Sequence, residues 1–441
     1  MISHEAKISR KGYFVMEKIV IDGGNALHGR IEVSGMKNAA VPIIFACVAV
    51  GDVCIIENLP NISDVVTSLE ILLSIGVRVR YLAENSVEID ARNVSPASAP
   101  CDLVKKMRGS YYLIGAMLGR FGSVMVGLPG GCDLGARPID QHIKAFEALG
   151  AEVTVDGGFI DAQTKNGITG AGIYFDCVTV GGTINTILAA VRAKGTTIIE
   201  NAAREPHVVD VANFLNFCGA SITGAGTDTI KIKGTDELHG CTYAIIPDMI
   251  EAGTFMIAAA ATRGRLYINN VIPKHLDAIS AKLVEMGVTV EEFDDAVLVS
   301  HKGELSPVTI KTIPYPGFPT DMNPQAAVLL CLANGTSRLH ETIYENRFRY
   351  VEELKRMGAN IKVEKSIATI TGIDHLTAST VRAVDLRAGV AMVIAGLAAR
   401  GRTEIDDIYH IERGYDNITS KFKAVGANIH KVEIPDPFVT I

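Results

Sequence analysis

The segment Gly127-Leu-Pro-Gly-Gly-Cys-Asp-Leu-Gly135 is the most chemically unusual in the chain, with four glycines set around Cys132 and Arg137-Pro138-Ile139-Asp140 following at once. A glycine-rich loop can act as a lid and present a side chain to a ligand. A thiol beside arginine ionises more readily and can serve as acid, base or nucleophile. The plain alternative is a loop cysteine with no role, and the glycines and Arg137 favour a functional one. Cys47 and Cys331 lie in apolar helical sequence and read as inert packing residues.

Other groups suit anions. Lys37-Asn38 opens an apolar helical stretch, where unsatisfied N–H groups and the helix dipole attract negative charge. By themselves these two residues read more simply as a solvated lysine beside an Asn cap. Arg347, Arg387 and Arg413 occur in Glu-Asn-Arg-Phe, Val-Asp-Leu-Arg and His-Ile-Glu-Arg-Gly. Salt bridges to the nearby Glu345, Asp385 and Glu412 would explain them. Arg347 and Arg413 follow equivalent strand-like segments, however, so a repeat would set them on one rim, suited to phosphate or carboxylate. His410 could orient a partner, although a hydrogen-bonded structural histidine is the simpler reading. Asp321, in Gly-Phe-Pro-Thr-Asp-Met, is either an N-cap or a general base. Sequence leaves both readings open.

Several chemistries are absent as motifs. There is no Walker A loop, HExxH, GxSxG or Rossmann fingerprint, which disfavours NAD and P-loop chemistry. The eight cysteines form no CxxC pair and no Cys/His cluster at metal spacing, so they read as reduced thiols without a metal. A net charge of −7 argues against nucleic acid as a partner but allows local basic pockets. The stretch 1–15 has no apolar core of a signal peptide and reads as a flexible extension, with patterned sequence starting at Met16. The apolar run 39–50 is too short to span a bilayer, and a cytoplasmic location is expected.

The elements that must position these residues repeat. A helical pattern ending in glycine and a small residue recurs at Gly76, Gly150, Gly219, Gly287, Gly358 and Gly426, spaced 68 to 74 residues apart. Each glycine suits a left-handed C-cap. A second series of helices, apolar nearly all round, ends at Gly51, Gly122, Gly195, Gly264, Gly335 and Gly401, and each is followed by a short strand pattern. The predicted unit is buried helix, strand, amphipathic helix and β-hairpin, six times over. At 441 residues, two domains of three βαβαββ-like units each are expected, with helices inside, sheets outside and a cleft between them.

Taken together, the motifs are specific. SGMKNAA (34–40), MRGSYY (107–112), LPGGCDLGARPID (128–140), FPTDM (318–322), ETIYENRF (341–348), VDLRA (384–388) and YHIERGYD (409–416) closely resemble the bacterial UDP-N-acetylglucosamine 1-carboxyvinyltransferases. The resemblance runs from about Met16 to the C-terminus, in order and over both halves. It implies a two-domain fold of inside-out α/β barrels, with 16–36 joining 246–441 and with 37–245 forming the other domain. The reaction it implies moves enolpyruvyl from phosphoenolpyruvate to the 3′-hydroxyl of UDP-N-acetylglucosamine and releases phosphate, the committed step of peptidoglycan synthesis.

Site roles follow from the same resemblance. Lys37, Asn38, Arg137, Arg347 and Arg413 would bind phosphoenolpyruvate. Cys132 would donate a proton to carbon 3 and could form a phospholactoyl thio-adduct, and Asp321 would hold the sugar 3′-hydroxyl and accept its proton. Arg108, Arg137, Pro138, Ile139, Asp140, Gln141, Cys177, Val178, Thr179, Val180, Asp321 and Ile343 would line the UDP-N-acetylglucosamine site, supported by Asp385 and Arg387. No cofactor or metal is implied. Four positions depart from the common pattern of the family: Met36, Ala136, Cys177 and Tyr350. Two rivals are the shikimate-pathway enolpyruvyl transferase and a non-catalytic UDP-sugar-binding paralogue. The first would carry Ser-Lys-Ser where this chain has Met36-Lys37-Asn38 and would lack a glycine-flanked cysteine; the joint presence of Lys37, Cys132, Asp321 and Arg413 argues against the second.

Overall fold

A computed structural model describes residues 7–8, 14–94, 101–128, 130 and 138–435. Cys132 and Arg137 lie outside the described residues. The chain divides into two compact units, one of residues 1–33, 249–313 and 317–441, the other of 34–248 with 314–316. The chain therefore changes unit at 33/34 and 248/249, three residues from the expected 36/37 and 245/246, and again at 313/314 and 316/317, so that 314–316 fall outside the expected 246–441 segment. The reason for the three-residue shift is local pairing inside the second unit. Gly35 bridges Pro247, the Met36 N–H donates to the Ile246 carbonyl, and the Asp248 N–H donates to the Ser34 carbonyl. These bonds hold both ends of that unit side by side.

In the 34–248 unit, helices Lys37–Val50, Tyr112–Phe121 and Val180–Ala190 pack on one another. Every residue from Ala39 to Val50 is buried, as an all-round apolar helix requires. Burial would strand the last carbonyls of this helix, and arginines from the other two repeats of the pattern satisfy them. Arg120 donates to Val48 O (3.1 Å), and Arg192 donates to Ala49 O (2.5 Å) and Val50 O (2.7 Å). Close approach of the other two helices depends on Gly115, where a Cβ would come within 2.3 Å of the Asn185 carbonyl oxygen.

Three sheets and the amphipathic helices Ser63–Ser74, Asp140–Ala148 and Pro206–Phe217 complete the unit. One sheet runs Thr242–Ala244, Val53–Glu57, Ser86–Asp90, Arg78–Ala83; a second runs Gly172–Tyr174, Thr196–Glu200, Thr229–Lys233, Ser221–Thr223. In each, the first pair is parallel and the others antiparallel. The third sheet is the antiparallel set Ser123–Gly127, Phe159–Gln163, Glu152–Asp156. Strand Thr229–Lys233 alternates exposed and buried, so one face packs on helices and the other meets solvent.

The other unit repeats the plan around helices Met249–Ala261, Asn323–Leu330 and Leu386–Ala398. Its sheets place His28–Glu32 parallel to Arg265–Asn269, Thr309–Lys311 parallel to Thr336–His340, and Thr380–Arg382 parallel to Arg402–Asp406. The strand Phe14–Asp22 pairs antiparallel with both Arg402–Asp406 and Asn428–Pro435. It begins two residues before Met16, and Lys7–Ile8 pairs with Phe14 and Val15, so part of the expected flexible extension is in strand pairing. The short parallel edge strands, each preceding a buried helix, are the strands whose positions the sequence pattern does not mark. Gly76, Gly150, Gly219, Gly287, Gly358 and Gly426 all adopt φ between +88° and +96°, the left-handed conformation expected of them. No described helix is long and apolar enough to cross a membrane.

One buried acid ties the end of the 34–248 unit to its helix Pro206–Phe217. Asp210, 1% exposed, accepts the Tyr243 hydroxyl at 2.6 Å and the Ile246 N–H at 3.4 Å. Burial pushes its carboxyl up from 3.8 to about 6. The fold thus holds a proton that the unfolded chain releases first, and the stability this contributes, full below the unfolded value, is lost as pH rises from about 4 to about 6. Asp210→Asn removes that titration. The melting temperature of the variant minus that of the wild type should therefore climb between pH 4 and 6 and level off above; parallel curves would show that Asp210 does not carry this linkage.

Candidate active site

In the 1–33/249–441 unit the candidate residues converge on one carboxylate. Asp321 lies in the 3₁₀ turn Thr320–Met322, immediately before helix Asn323–Leu330. It does not cap either element, since the N-cap positions are Pro319 and Met322 and neither has a side-chain cap. Its carboxylate instead faces two guanidiniums. Arg387 donates to Oδ2 from Nε (3.1 Å) and Nη2 (2.9 Å), while Arg347 Nη2 lies 3.4 Å from Oδ1. Arg347 also donates from Nε (3.2 Å) and Nη2 (2.9 Å) to the Thr320 carbonyl. The bonds described for Arg347 thus reach the turn before helix Asn323–Leu330 rather than the neighbouring Glu345.

Arg347 is 1% exposed and Arg387 3% exposed, and such burial is tolerated only when charge is paired and hydrogen-bonded. Asp385 caps helix Leu386–Ala398, accepting from the N–H groups of Arg387 and Ala388 at 2.8 Å each. That cap fixes the backbone from which Arg387 projects. The guanidinium of Arg387 lies over the Tyr415 ring at 5.4 Å, and the Tyr415 hydroxyl is 2.9 Å from Thr254 Oγ1.

Arg413 ends the short helix Tyr409–Glu412 and is half-buried. Burial first, and then the charge of Arg413, push His410 below the usual histidine range, with Asp385 opposing. His410 Nδ1 has no hydrogen-bond partner among the described residues. Asp385 Oδ2 is likewise unpartnered among them. Ile343, 37% exposed, sits in the loop after strand Thr336–His340.

In the 34–248 unit, Lys37 is the first residue of its helix, and Met36 occupies the N-cap without a side-chain cap bond. The solvated-lysine reading does not hold, because Lys37 Nζ lies 2.6 Å from Asp64 and the two side chains are 13% and 7% exposed. Asn38 falls inside the helix and is not its cap. Arg108 begins a 3₁₀ turn and lies 5.6 Å over the Tyr111 ring.

That ring meets His142 edge-on at 4.7 Å. Asn185 Oδ1 accepts the Gly115 N–H, so its Nδ2 must donate to Tyr111 O and to His142 Nδ1, both at 3.0 Å. His142 therefore accepts through Nδ1. Burial, reinforced by the charge of Arg108, lowers it to about 4, so it is neutral at pH 7.

Two predicted segments meet through Gln141. Its Nε2 donates to Asp140 (2.8 Å) and Asp176 (3.1 Å), and its Oε1 accepts the Asp176 N–H (3.0 Å). The clamp sets Pro138–Gln141 beside Cys177–Val180. Cys177 is exposed, Val178 is 38% exposed, and Thr179 caps helix Val180–Ala190 through a bond from Gly182 N (3.2 Å). Asp140 and Val180 each begin a helix, so their ends present N–H groups alongside the clamp.

Sequence reasoning missed three partners. Asp64 and Asp176 pair with residues 27 and 35 positions away, and no local pattern marks them. Glu341 lies inside the quoted ETIYENRF motif but was not distinguished there. It is 2% exposed and accepts from Thr320 Oγ1 and Asn323 Nδ2 at 2.9 Å each, and from the N–H groups of Ile343 (2.8 Å) and Tyr344 (3.2 Å). Tyr350, one of the departures from the family pattern, is fully buried and donates to Asn323 Oδ1 at 2.6 Å.

The family model described as EPSP synthase (3-phosphoshikimate 1-carboxyvinyltransferase) matches residues 21–422. The chain is 56% identical over 417 residues to the UDP-N-acetylglucosamine 1-carboxyvinyltransferase 3 of Caldanaerobacter subterraneus subsp. tengcongensis, covering 95% of this chain and 100% of the relative. It is 54% identical over 420 residues to the UDP-N-acetylglucosamine 1-carboxyvinyltransferase 2 of Clostridium acetobutylicum, with the same coverage. Among solved structures, the enolpyruvyl transferase NikO from Streptomyces tendae superposes with a TM-score of 0.85 at 26% identity, over 96% of this chain and 100% of that one. An EPSP synthase from Acinetobacter baumannii, at 18% identity over 94% of this chain and 100% of its own, shares the fold with a TM-score of 0.73. The motifs spread over both units and the matches along nearly the whole length lead to one conclusion: the chain belongs to the UDP-N-acetylglucosamine 1-carboxyvinyltransferase family of enolpyruvyl transferases.

Proposed function

We propose that this enzyme transfers the enolpyruvyl group of phosphoenolpyruvate to the 3′-hydroxyl of UDP-N-acetylglucosamine and releases phosphate. The observation that carries this reading is the Asp321 carboxylate, fixed by Arg387 and Arg347 beside the start of a buried helix. A carboxylate held this way is a pre-oriented acceptor for a substrate hydroxyl. The names borne by relatives at 52–56% identity support the same substrates over the shikimate alternative. In this reading the reaction serves peptidoglycan synthesis in the cytoplasm, and each unit is an inside-out barrel of three βαβαββ-like repeats, six in all.

The chemistry assigns each group one task. Phosphoenolpyruvate carries a phosphate and a carboxylate, which Lys37, Asn38, Arg137, Arg347 and Arg413 bind. The Cys132 thiol gives its proton to carbon 3, leaving carbon 2 electrophilic. The sugar 3′-hydroxyl adds to carbon 2 as Asp321 takes its proton. Loss of a proton from carbon 3 and of phosphate from carbon 2 then restores the double bond, now on the sugar. Arg108, Pro138 to Gln141, Cys177 to Val180 and Ile343 hold the nucleotide sugar. Asp385 and Arg387 act behind Asp321, through the helix cap and the ion pair already described.

Mixing the protein with both substrates should release phosphate and form a nucleotide sugar heavier by one enolpyruvyl group. No phosphate with UDP-N-acetylglucosamine, but turnover with shikimate 3-phosphate, would overturn the assignment. A small epoxide phosphonate of the fosfomycin type should alkylate Cys132, faster with the nucleotide sugar present, while a general thiol reagent labels the exposed Cys177 as well. Peptide mapping that puts the epoxide adduct on Cys177 would contradict the role given to Cys132.

Asp321→Asn keeps the size of the side chain but removes its charge and basicity. Its kcat should fall by roughly 10² or more, with nucleotide-sugar binding retained. Because Arg347 and Arg387 are 1% and 3% exposed, the change leaves two buried guanidiniums without their counter-charge; the melting temperature should fall clearly, so kcat is measured on the folded fraction. Activity lost only in proportion to unfolded protein would reduce Asp321 to a structural ion-pair partner.

A further inference from the structure

A buried carboxylate without a positive partner is expensive unless hydrogen bonds replace its water. Glu341 meets that requirement with four neutral donors. Thr320 Oγ1 and Asn323 Nδ2 reach Oε2, and the Ile343 and Tyr344 N–H groups reach Oε1. An ionised carboxylate offers about four acceptor sites and no donor, so the cradle matches its capacity.

The four donors come from two separate stretches of chain. Thr320 and Asn323 flank Asp321, and the Thr320 carbonyl is also the one that Arg347 grips. Ile343 and Tyr344 form the loop that follows strand Thr336–His340. Tyr350 extends the network by donating to Asn323 Oδ1. Glu341 thus joins the Asp321 turn to the Ile343 loop by direct bonds on both sides. A second bond set, from Thr342 N–H and Oγ1 to Thr312, anchors the loop to the neighbouring strand without touching the turn.

We infer that Glu341 is a positioning residue for the acceptor substrate, holding the Asp321 turn and the Ile343 loop in one fixed arrangement before the nucleotide sugar arrives. The inference rests on the proposed function for the identity of that substrate. The fixed arrangement itself rests on the bonds just described. Pre-ordering both flanks spares the substrate the entropy of ordering them.

The test uses Glu341→Gln in the full-length protein. Glutamine keeps one acceptor oxygen but turns an NH₂ toward two of the four donors, so one flank must detach. The KM for UDP-N-acetylglucosamine should rise about tenfold and kcat should fall about tenfold, while the KM for phosphoenolpyruvate changes less than about threefold. In the substrate-free protein, hydrogen exchange at Ile343 and Tyr344 should quicken about tenfold while helix Leu386–Ala398 keeps its wild-type rate. Unchanged exchange at both amides, or equal rises in both KM values with exchange faster throughout, would overturn the positioning role. Should Glu341→Gln fail to fold, Thr320→Val removes one hydroxyl bond at nearly constant volume and should shift the nucleotide-sugar KM in the same direction by a smaller factor. If the wild type turns over neither substrate, the proposed reaction fails, and the exchange measurement still decides whether Glu341 orders the loop.

Discussion

The ion pair between Asp321 and Arg387, with Arg347 beside it, is the interaction on which the rest of this architecture depends. Two guanidiniums in almost complete burial would each cost several kcal/mol without a counter-charge. The carboxylate offsets that cost, but only if all three groups are delivered to the same point. Delivery is a property of the backbone. The Asp385 cap sets the first turn of helix Leu386–Ala398, the Thr320 carbonyl receives Arg347, and Glu341 holds the turn that carries both Thr320 and Asp321. Two helix starts of this site, Leu386–Ala398 and Asn323–Leu330, are fixed by side chains, Asp385 and Glu341, that have no direct part in the chemistry proposed.

Helix starts are available here because the helices are buried. A helix apolar on every face must be surrounded, and in each unit three such helices are covered by amphipathic helices and by one-sided sheets. Covering the sides leaves the ends. At the C-terminal ends of the 34–248 unit the need is structural, and Arg120 and Arg192 supply donors to Val48, Ala49 and Val50. The N-terminal ends carry partial positive charge, and there sit Lys37, proposed to bind phosphoenolpyruvate, and Val180, proposed to line the nucleotide-sugar site. One physical constraint, the burial of whole helices, thereby separates a stabilising end from a binding end.

Titratable groups outside the proposed chemistry follow the same economy. His142 is kept neutral by burial and by Arg108, and as a neutral ring it accepts the Asn185 amide that also spans two core helices. Burial raises the Asp210 carboxyl to about 6, against the bonds it receives from Tyr243 and Ile246. In both cases a polar group inside the core is satisfied by a specific partner, as low-dielectric surroundings demand. Tyr350, at a position where the family pattern differs, is absorbed in the same manner through Asn323.

The sequence by itself determined the elements and their order. Apolar helices ending at Gly51 and its equivalents, left-handed glycines at Gly76 and its equivalents, and the strands after each helix are all local patterns, carried by residues within a turn or two of one another. It also marked Lys37, Asp321 and Arg387, charged residues at the starts of apolar helices, and Arg347 and Arg413, which follow equivalent strand-like segments. It did not determine the partners. Three-residue edge strands such as Gly172–Tyr174 are too short to show alternation, and only pairing with Thr196–Glu200 defines them. Glu341 and Glu345 look alike in one motif, yet Glu341 is buried among donors from two segments. Asp64 reaches Lys37, and Asp176 reaches Gln141, across long stretches of chain. Whether Asp321 caps a helix or pairs with arginine depended on where Arg387 stands, 66 residues on. Such pairings are set by distances of about 3 Å that only tertiary packing creates.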